Sequence, residues 1–313
     1  MTKPIIFIDG EAGTTGLEIR KRLESRADIE LVHIADDKRK DAGERKRLLN
    51  GCDIAILCLP DDASREAVAL IDNARVRVLD ASTAFRTAEG WAYGFPELTA
   101  GQEELIRNAK RVSNPGCYPT GFTGLIRPLT DAGILPCGHR LTVNAVSGYS
   151  GGGKELIALC ENPETKAKGR GGAFCLYGLD QKHKHLPEMR VHGGLEEDPI
   201  FLPSYSNAFY RGMLVHVELH LEEFQQDLTG EEIHAALASH YAGQRYVKVE
   251  PLHETLEKHF ILSPEEQNGT NNLQLRVFWN ADKHTVILTA CMDNLGKGAS
   301  GAAVQNVEVM LGL

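Results

Sequence analysis

The first 85 residues alternate between short apolar runs and polar, helix-compatible stretches. Residues 5–8 read Ile-Ile-Phe-Ile, then a glycine turn, then the charged segment 17–26. Residues 29–35, 54–59 and 76–79 are further apolar runs, separated by the helix candidates 41–50 and 63–74. Nearly continuous apolar strands with helices between them predict a parallel sheet covered on both faces. Right-handed crossovers make such a sheet doubly wound, an α/β arrangement.

From about residue 139 the pattern changes. Val215, Val217, Leu219 and Leu221 alternate with His216, Glu218, His220 and Glu222, the period of a half-buried strand. Residues 231–241 read as a helix and 246–249 as a strand. Residues 273–279 and 285–291 read as two strands joined by the hairpin connection 280–284. This predicts an α+β second domain with an open mixed or antiparallel sheet, one face free to meet a partner. Residues 300–311 are small and helix-compatible, and are expected to pack back on the first domain. The expected division is 1–116, joined by a C-terminal helix in 295–313, and 117–294.

At 313 residues the chain is long enough for two cores. Apolar residues at 42% and charged residues at 25% are ordinary for a globular protein. A net charge of -9 argues against a nucleic-acid partner, which usually calls for a basic stripe. No uncharged run approaches the roughly 18 residues of a membrane span, and Asp9 and Glu11 interrupt any leader-like start. Seven cysteines without Cys-x-x-Cys spacing fit neither a disulfide framework nor a zinc ribbon. A cytoplasmic protein without a bound metal is expected.

Gly10-Glu11-Ala12-Gly13-Thr14-Thr15-Gly16 follows the first strand and opens a helix. Glycines in that position let backbone N–H groups approach a pyrophosphate, as in a Rossmann domain. Asp36 or Asp37 stands about 20 residues on, where a ribose contact is expected. Lys38, Arg39 and Lys40 follow directly, a cationic cluster suited to a 2′-phosphate and hence to NADP. A Gly-rich corner beside a solvated turn is the bland alternative.

Ser113-Asn114-Pro115-Gly116-Cys117-Tyr118-Pro119-Thr120 forms a sharp turn ahead of a helix-compatible stretch. A thiol at a helix N-terminus gains thiolate character, which marks Cys117 as a nucleophile; Cys52, Cys58 and Cys160 read as core residues. The base is sought in His183-Lys184-His185-Leu186-Pro187-Glu188, where Glu188 is placed to orient an imidazole, with His192 nearby. A His-x-His metal site or a solvated loop are the rival readings of that segment.

These segments occur in one order with Asp80-Ala81-Ser82-Thr83-Ala84-Phe85-Arg86, Ser147-Gly148-Tyr149-Ser150-Gly151-Gly152-Gly153, Arg211-Gly212 and Asp293-Asn294-Leu295-Gly296-Lys297-Gly298-Ala299. Together they resemble the short-form N-acetyl-gamma-glutamyl-phosphate reductases, of the aspartate-semialdehyde dehydrogenase-like superfamily. The resemblance implies NADP on a Rossmann domain and a homodimer or homotetramer assembled through the second domain's sheet. It implies Cys117 as nucleophile and His185 as acid/base, with His183 second. It places Gly10, Gly13, Thr14, Thr15, Gly16, Arg39, Ser82, Gly148 and Asn294 at the cofactor, and Arg86, Asn114, Ser147 and Arg211 at a small acyl-phosphate substrate. Thr83-Ala84 and Gly152 depart from the long-form pattern. Three rivals stay open: aspartate-semialdehyde dehydrogenase, a non-catalytic NADP-sensing regulator, and a thiol hydrolase.

Overall fold

The structure, a computed structural model, describes residues 3–167, 172–224 and 227–313. The described chain forms two compact units. One holds the residues up to Pro96 with Ala100–Gly116 and Ala299–Leu313; the other holds Glu97–Thr99 and the residues from Cys117 to Gly298.

The first unit is built on β1 (Ile5–Asp9), β2 (Glu30–Val32), β3 (Ile54–Leu57), β4 (Arg77–Asp80), β5 (Ala92–Tyr93) and β6 (Arg111–Ser113). All pair in parallel, in the order β2-β1-β3-β4-β6-β5. The apolar runs are apolar on both sides because both sides are covered. Ile6, Ile8, Ile54 and Ile56 pack with Ile19 and Leu23 of α1 (Thr14–Glu24), Ile106 of α4 (Gln102–Asn108) and Ala303, Val307 and Met310 of the C-terminal helix Gly301–Leu311. Phe7, Ala55 and Leu57 face the other way, onto Leu48 and Leu49 of α2 (Ala42–Gly51) and Ala67 of α3 (Asp61–Leu70). The chain leaves β1 toward β2 on one side and returns to β3 on the other. The switch point of this doubly wound sheet therefore lies at the carboxyl ends of β1 and β3, where such sheets bind ligands.

Some predicted elements are shorter. The run 29–35 supplies strand only at Glu30–Val32, because Asp36–Lys38 closes into a 3-10 turn. The helix expected over 63–74 is Asp61–Leu70, started by the extended Pro60 and stopped at Ile71.

The second unit begins with α5 (Cys117–Asp131), followed by β7 (Thr142–Gly148), α6 (Gly153–Glu161), α7 (Pro163–Ala167), β8 (Phe174–Leu176), α8 (Leu186–Gly193), β9 (Ile200–Ser206), β10 (Met213–His220), α9 (Gly230–His240), β11 (Val247–Val249), β12 (Leu273–Asn280) and β13 (Thr285–Met292). The sheet order is β11-β12-β13-β10-β7-β9-β8, and the pairing is mixed. The alternation read along 215–222 holds to His220; Leu221–Glu223 then turns as a 3-10 helix. α5 lies close on this sheet: a Cβ on Gly121 would stand 2.8 Å from both Val215 and Met292 side chains.

Candidate active site

In the first unit the glycine turn joins β1 to α1. Gly10 has φ +89°, and a Cβ there would lie 2.3 Å from the Cys58 carbonyl oxygen; one on Gly16 would lie 2.5 Å from the Gly10 oxygen. Gly13 caps α1 without a side-chain bond, and no acidic residue occupies the first turn, where Thr14 and Thr15 sit half-buried. The first N–H groups of α1 are thus left for an anion. Beside them is a cavity of about 240 Å³ lined by Asp9, Gly10, Arg39, Lys40, Arg45 and Leu59, among others. Arg39 is also held by Asp36 at 2.6 Å.

Arg45 escaped the sequence reading. It donates twice to the buried Asp9, from Nε at 3.0 Å and Nη2 at 2.8 Å. Without it Asp9 would stand beside the glycine turn as a lone buried charge. The only sequence signal was its place within a basic helix, which looks like a solvated face.

Ser82, Arg86 and Asn114 gather around the end of β4. The Ser82 hydroxyl donates to Asp80 at 2.6 Å, and Asp80 also accepts from Ser64 at 2.7 Å. Burial nonetheless pushes the Asp80 carboxyl above its usual range. Arg86 donates from Nε to the Asn114 carbonyl at 3.0 Å. The Asn114 side chain donates to the Ala299 carbonyl at 3.0 Å and accepts from Asn306 at 3.1 Å.

In the second unit Cys117 is the first residue of the fifteen-residue α5 and is half-buried. Burial drives the Cys52 and Cys58 thiols up to about 12 and Cys291 to about 11, leaving them inert at neutral pH. Tyr118 follows in the helix, and its ring centroid lies 6.2 Å from that of His183 and 5.9 Å from that of His185. The imidazole centroids are 4.7 Å apart. The Tyr177 hydroxyl donates to the Tyr118 oxygen at 3.1 Å, and Tyr118 donates to the Ser204 carbonyl at 3.1 Å. Both phenols are pushed up, first by burial; Tyr177 adds to this for Tyr118, and the proximity of Cys117 for both. Neither tyrosine was given a role from the sequence, since Tyr118 inside an apolar helix reads as core and Tyr177, just past the short β8, carries no local signal.

His185 is buried at the head of α8, whose first turn carries the buried Glu188. His183 accepts the His185 N–H on Nδ1 at 3.2 Å. Burial, with Lys184 adding, lowers its pKa from 6.5 to about 4, so His183 is neutral at pH 7. A depressed pKa in a base means stability fully present above about 6.5 and lost as pH falls toward about 4. The melting temperature is expected to drop across that window, and to drop less in His183→Asn. Equal slopes in both proteins would remove His183 as the cause.

Ser147 and Gly148 end β7 beside a cavity of about 310 Å³ whose lining includes Tyr118, Tyr177, Leu156 and Tyr205 and no ionised side chain. Asn294 serves as a strut: its oxygen accepts the Gly212 N–H at 2.8 Å and its amide donates to Ser150 at 2.9 Å. Arg211 bonds the fully buried Asp293 at 3.3 Å. Within this unit the structure gathers Tyr118, Tyr177 and the two histidines into one cluster. Arg211 and Asn294 form a second cluster tied to the β7 end through Gly212, whose carbonyl accepts the Gly148 N–H at 2.9 Å. Among the described residues no group of three His, Cys, Asp or Glu side chains is arranged to hold a metal.

Residues 117–294 match the family model of the semialdehyde dehydrogenase dimerisation domain, and residues 44–107 that of the semialdehyde dehydrogenase NAD binding domain. The fold is similar to aspartate semialdehyde dehydrogenase II from Vibrio cholerae, with a TM-score of 0.73 at 17% identity over 99% of both chains. It is also similar to aspartate semialdehyde dehydrogenase with NADP from Candida albicans, with a TM-score of 0.67 at 13% identity, again over 99% of both. At such identities the likeness establishes the fold. The curated relatives carry more. N-acetyl-gamma-glutamyl-phosphate reductase 2 of Nostoc sp. is 54% identical over 100% of this chain and 98% of its own. The N-acetyl-gamma-glutamyl-phosphate reductase of Sinorhizobium fredii is 55% identical over 99% of each. With that identity sustained across both units, the chain belongs to the N-acetyl-gamma-glutamyl-phosphate reductase family.

Proposed function

We propose that this protein reduces N-acetyl-gamma-glutamyl phosphate to N-acetylglutamate semialdehyde and phosphate, a step of arginine biosynthesis, with Cys117 as covalent nucleophile. Identity above 50% to reductases of that name along the whole chain is the observation that carries the reading. NADP is the cofactor, in keeping with the NAD binding family model. The residues present fit it: the Gly10 and Gly16 cradle would be filled by any Cβ, the α1 N–H groups are open, and Arg39, Lys40 and Arg45 line the adjoining cavity.

In the mechanism we infer, the Cys117 thiolate attacks the acyl carbon. The resulting oxyanion is steadied by N–H groups at the head of α5, since the Asn114 amide is engaged elsewhere. Its collapse expels phosphate and leaves a thioester on Sγ. Bound at the glycine turn beside Arg39, Lys40 and Arg45, NADPH would supply the hydride needed at the thioester carbon. His185 gives a proton to the thiohemiacetal oxygen, and takes it back as the C–S bond breaks to release the aldehyde and the thiolate. His183, neutral and accepting the His185 N–H, fixes that segment. The uncharged cavity beside Tyr118 and Leu156 suits the acetamido group, which is neutral where an ammonium would be charged.

Assays in the oxidative direction with phosphate test the substrate. N-acetylglutamate semialdehyde should turn over well and aspartate semialdehyde poorly; the reverse would make this an aspartate-semialdehyde dehydrogenase. Arg39→Ala is expected to weaken NADPH by about tenfold or more, the scale of a lost charged hydrogen bond, and NADH far less. Equal losses in titrations of the two cofactors would remove Arg39 from the 2′-phosphate.

Assembly as a homodimer or homotetramer belongs to the same reading. In β10 the buried Met213, Val215, Val217 and Leu219 alternate with Leu214, His216, Glu218 and His220, which are more exposed, and Ile287 on the neighbouring β13 is 44% exposed. That face of the sheet suits a second copy. No helix among the described residues is long and apolar enough to cross a membrane. We place the enzyme in the cytoplasm, where its nucleotide cofactor is found.

A further inference from the structure

Lys297 and Glu97 are charged side chains that the mechanism above leaves unused. Lys297 is 1% exposed and Glu97 4%. The Lys297 ammonium donates to both Glu97 carboxylate oxygens at 2.9 Å and stands 5.6 Å from the centre of the Tyr246 ring. Burying two charges is costly, and a pair of this kind usually adds little net stability over an apolar one. Its location suggests what it does instead.

Lys297 precedes Gly298, and a Cβ on Gly298 would lie 2.9 Å from Cys117 Cβ and 3.4 Å from Cys117 Cα. The Gly298 backbone is therefore the wall against which the nucleophile's own backbone rests. Two clamps hold that wall. One is Asp293, whose carbonyl accepts the Gly296 and Gly298 N–H groups at 2.9 and 3.1 Å. Its carboxylate is anchored by the Leu295 and Gly269 N–H groups and by Arg211. The other clamp is the Lys297–Glu97 pair. Glu97 is itself held in place, because the next residue, Leu98, is buried and its carbonyl bonds the His240 ring at 2.9 Å.

We propose that Lys297 and Glu97 are positioning residues for Cys117: by pinning the turn that carries Gly298, they hold the thiol aligned with the N–H groups at the head of α5. This rests on Cys117 being the nucleophile. Alkylation of Cys117 reports on its alignment without requiring turnover, so the two ideas fail separately. If Cys117→Ala kept its activity, the nucleophile reading would fall while the alkylation result still stood.

The test compares the double variant Lys297→Met/Glu97→Gln with wild type by thermal melting, iodoacetamide labelling of Cys117 against pH, and steady-state kinetics. The double variant leaves no lone buried charge and should melt near wild type. Its labelling midpoint should nevertheless move up by about one pH unit, a tenfold loss of thiolate at neutral pH. kcat should fall at least as far, with NADPH affinity unchanged. Gly298→Ala, with the ion pair intact, should shift the midpoint in the same direction. A wild-type labelling profile in the double variant, or in Gly298→Ala should the double variant not fold, overturns the proposal.

Discussion

Cys117→Ala is expected to retain less than about a hundredth of the wild-type turnover, a loss of at least about 2.7 kcal/mol in transition-state stabilisation. The thiol sits at the first position of α5, where helix N–H groups favour its anion. Alanine is the best helix former and cannot become a nucleophile. Because Cys117 is only half-buried, the substitution leaves little cavity, so the variant should melt near wild type. NADPH affinity should stay within a few-fold, since the glycine turn that would hold the cofactor lies far along the chain and is unaltered. Rapid-quench trapping should find no acyl-enzyme. Substantial residual turnover would sink the covalent route and leave direct hydride transfer to a bound acyl phosphate.

Gly10→Ala should have the next largest effect, on cofactor binding and stability together. Its new Cβ would fall 2.3 Å from the Cys58 carbonyl oxygen, and that obstacle is strand-end backbone that cannot rotate away. The φ of +89° adds a strain of about 1 kcal/mol for any residue with a Cβ. Relief requires the turn to shift, which misaligns the α1 N–H groups. NADPH binding followed by fluorescence should weaken by at least about tenfold, some 1.4 kcal/mol. Gly90→Ala is the control: its φ is +78°, yet no atom lies within 4 Å of the added methyl. It should lose a little stability and no cofactor affinity. Matching losses in the two variants would mean that strain, and not the shape of the turn, is what matters.

The first unit was the more legible because its information is local. An apolar run buried on both faces, a glycine turn and a helix follow one another within a dozen or so residues, and each constrains the next through backbone geometry alone. The second unit's strand along 215–222 was visible through period two and those at 273–279 and 285–291 through the hairpin connection between them, while β7, β8 and β9, and β5 and β6 of the first unit, were not singled out. Those strands are short or carry Ser, Pro and Gly, and they take their place from neighbours distant in sequence.

The site divides in the same way. Cys117 stood out because Asn-Pro-Gly before it and a helix after it describe a turn whatever surrounds them. The paired histidines stood out by type and spacing. Other pairings join residues that no single motif holds. Arg45 meets Asp9 across 36 residues, Tyr177 meets Tyr118 across 59, and Lys297 meets Glu97 across 200. In sequence each looks like an ordinary surface charge or core aromatic.

By itself, then, the sequence determined the doubly wound sheet, the strand-turn-helix with its glycines, and a reactive-looking thiol at a helix start, because backbone sterics and short-range periodicity act within a few residues. The tertiary structure alone decided that Asp9 is neutralised by Arg45, that the His183 imidazole is uncharged at neutral pH, and that Gly298 abuts Cys117 beside a buried ion pair. Desolvation and Coulomb interactions depend on which distant groups share a low-dielectric space, and only the packed chain sets that.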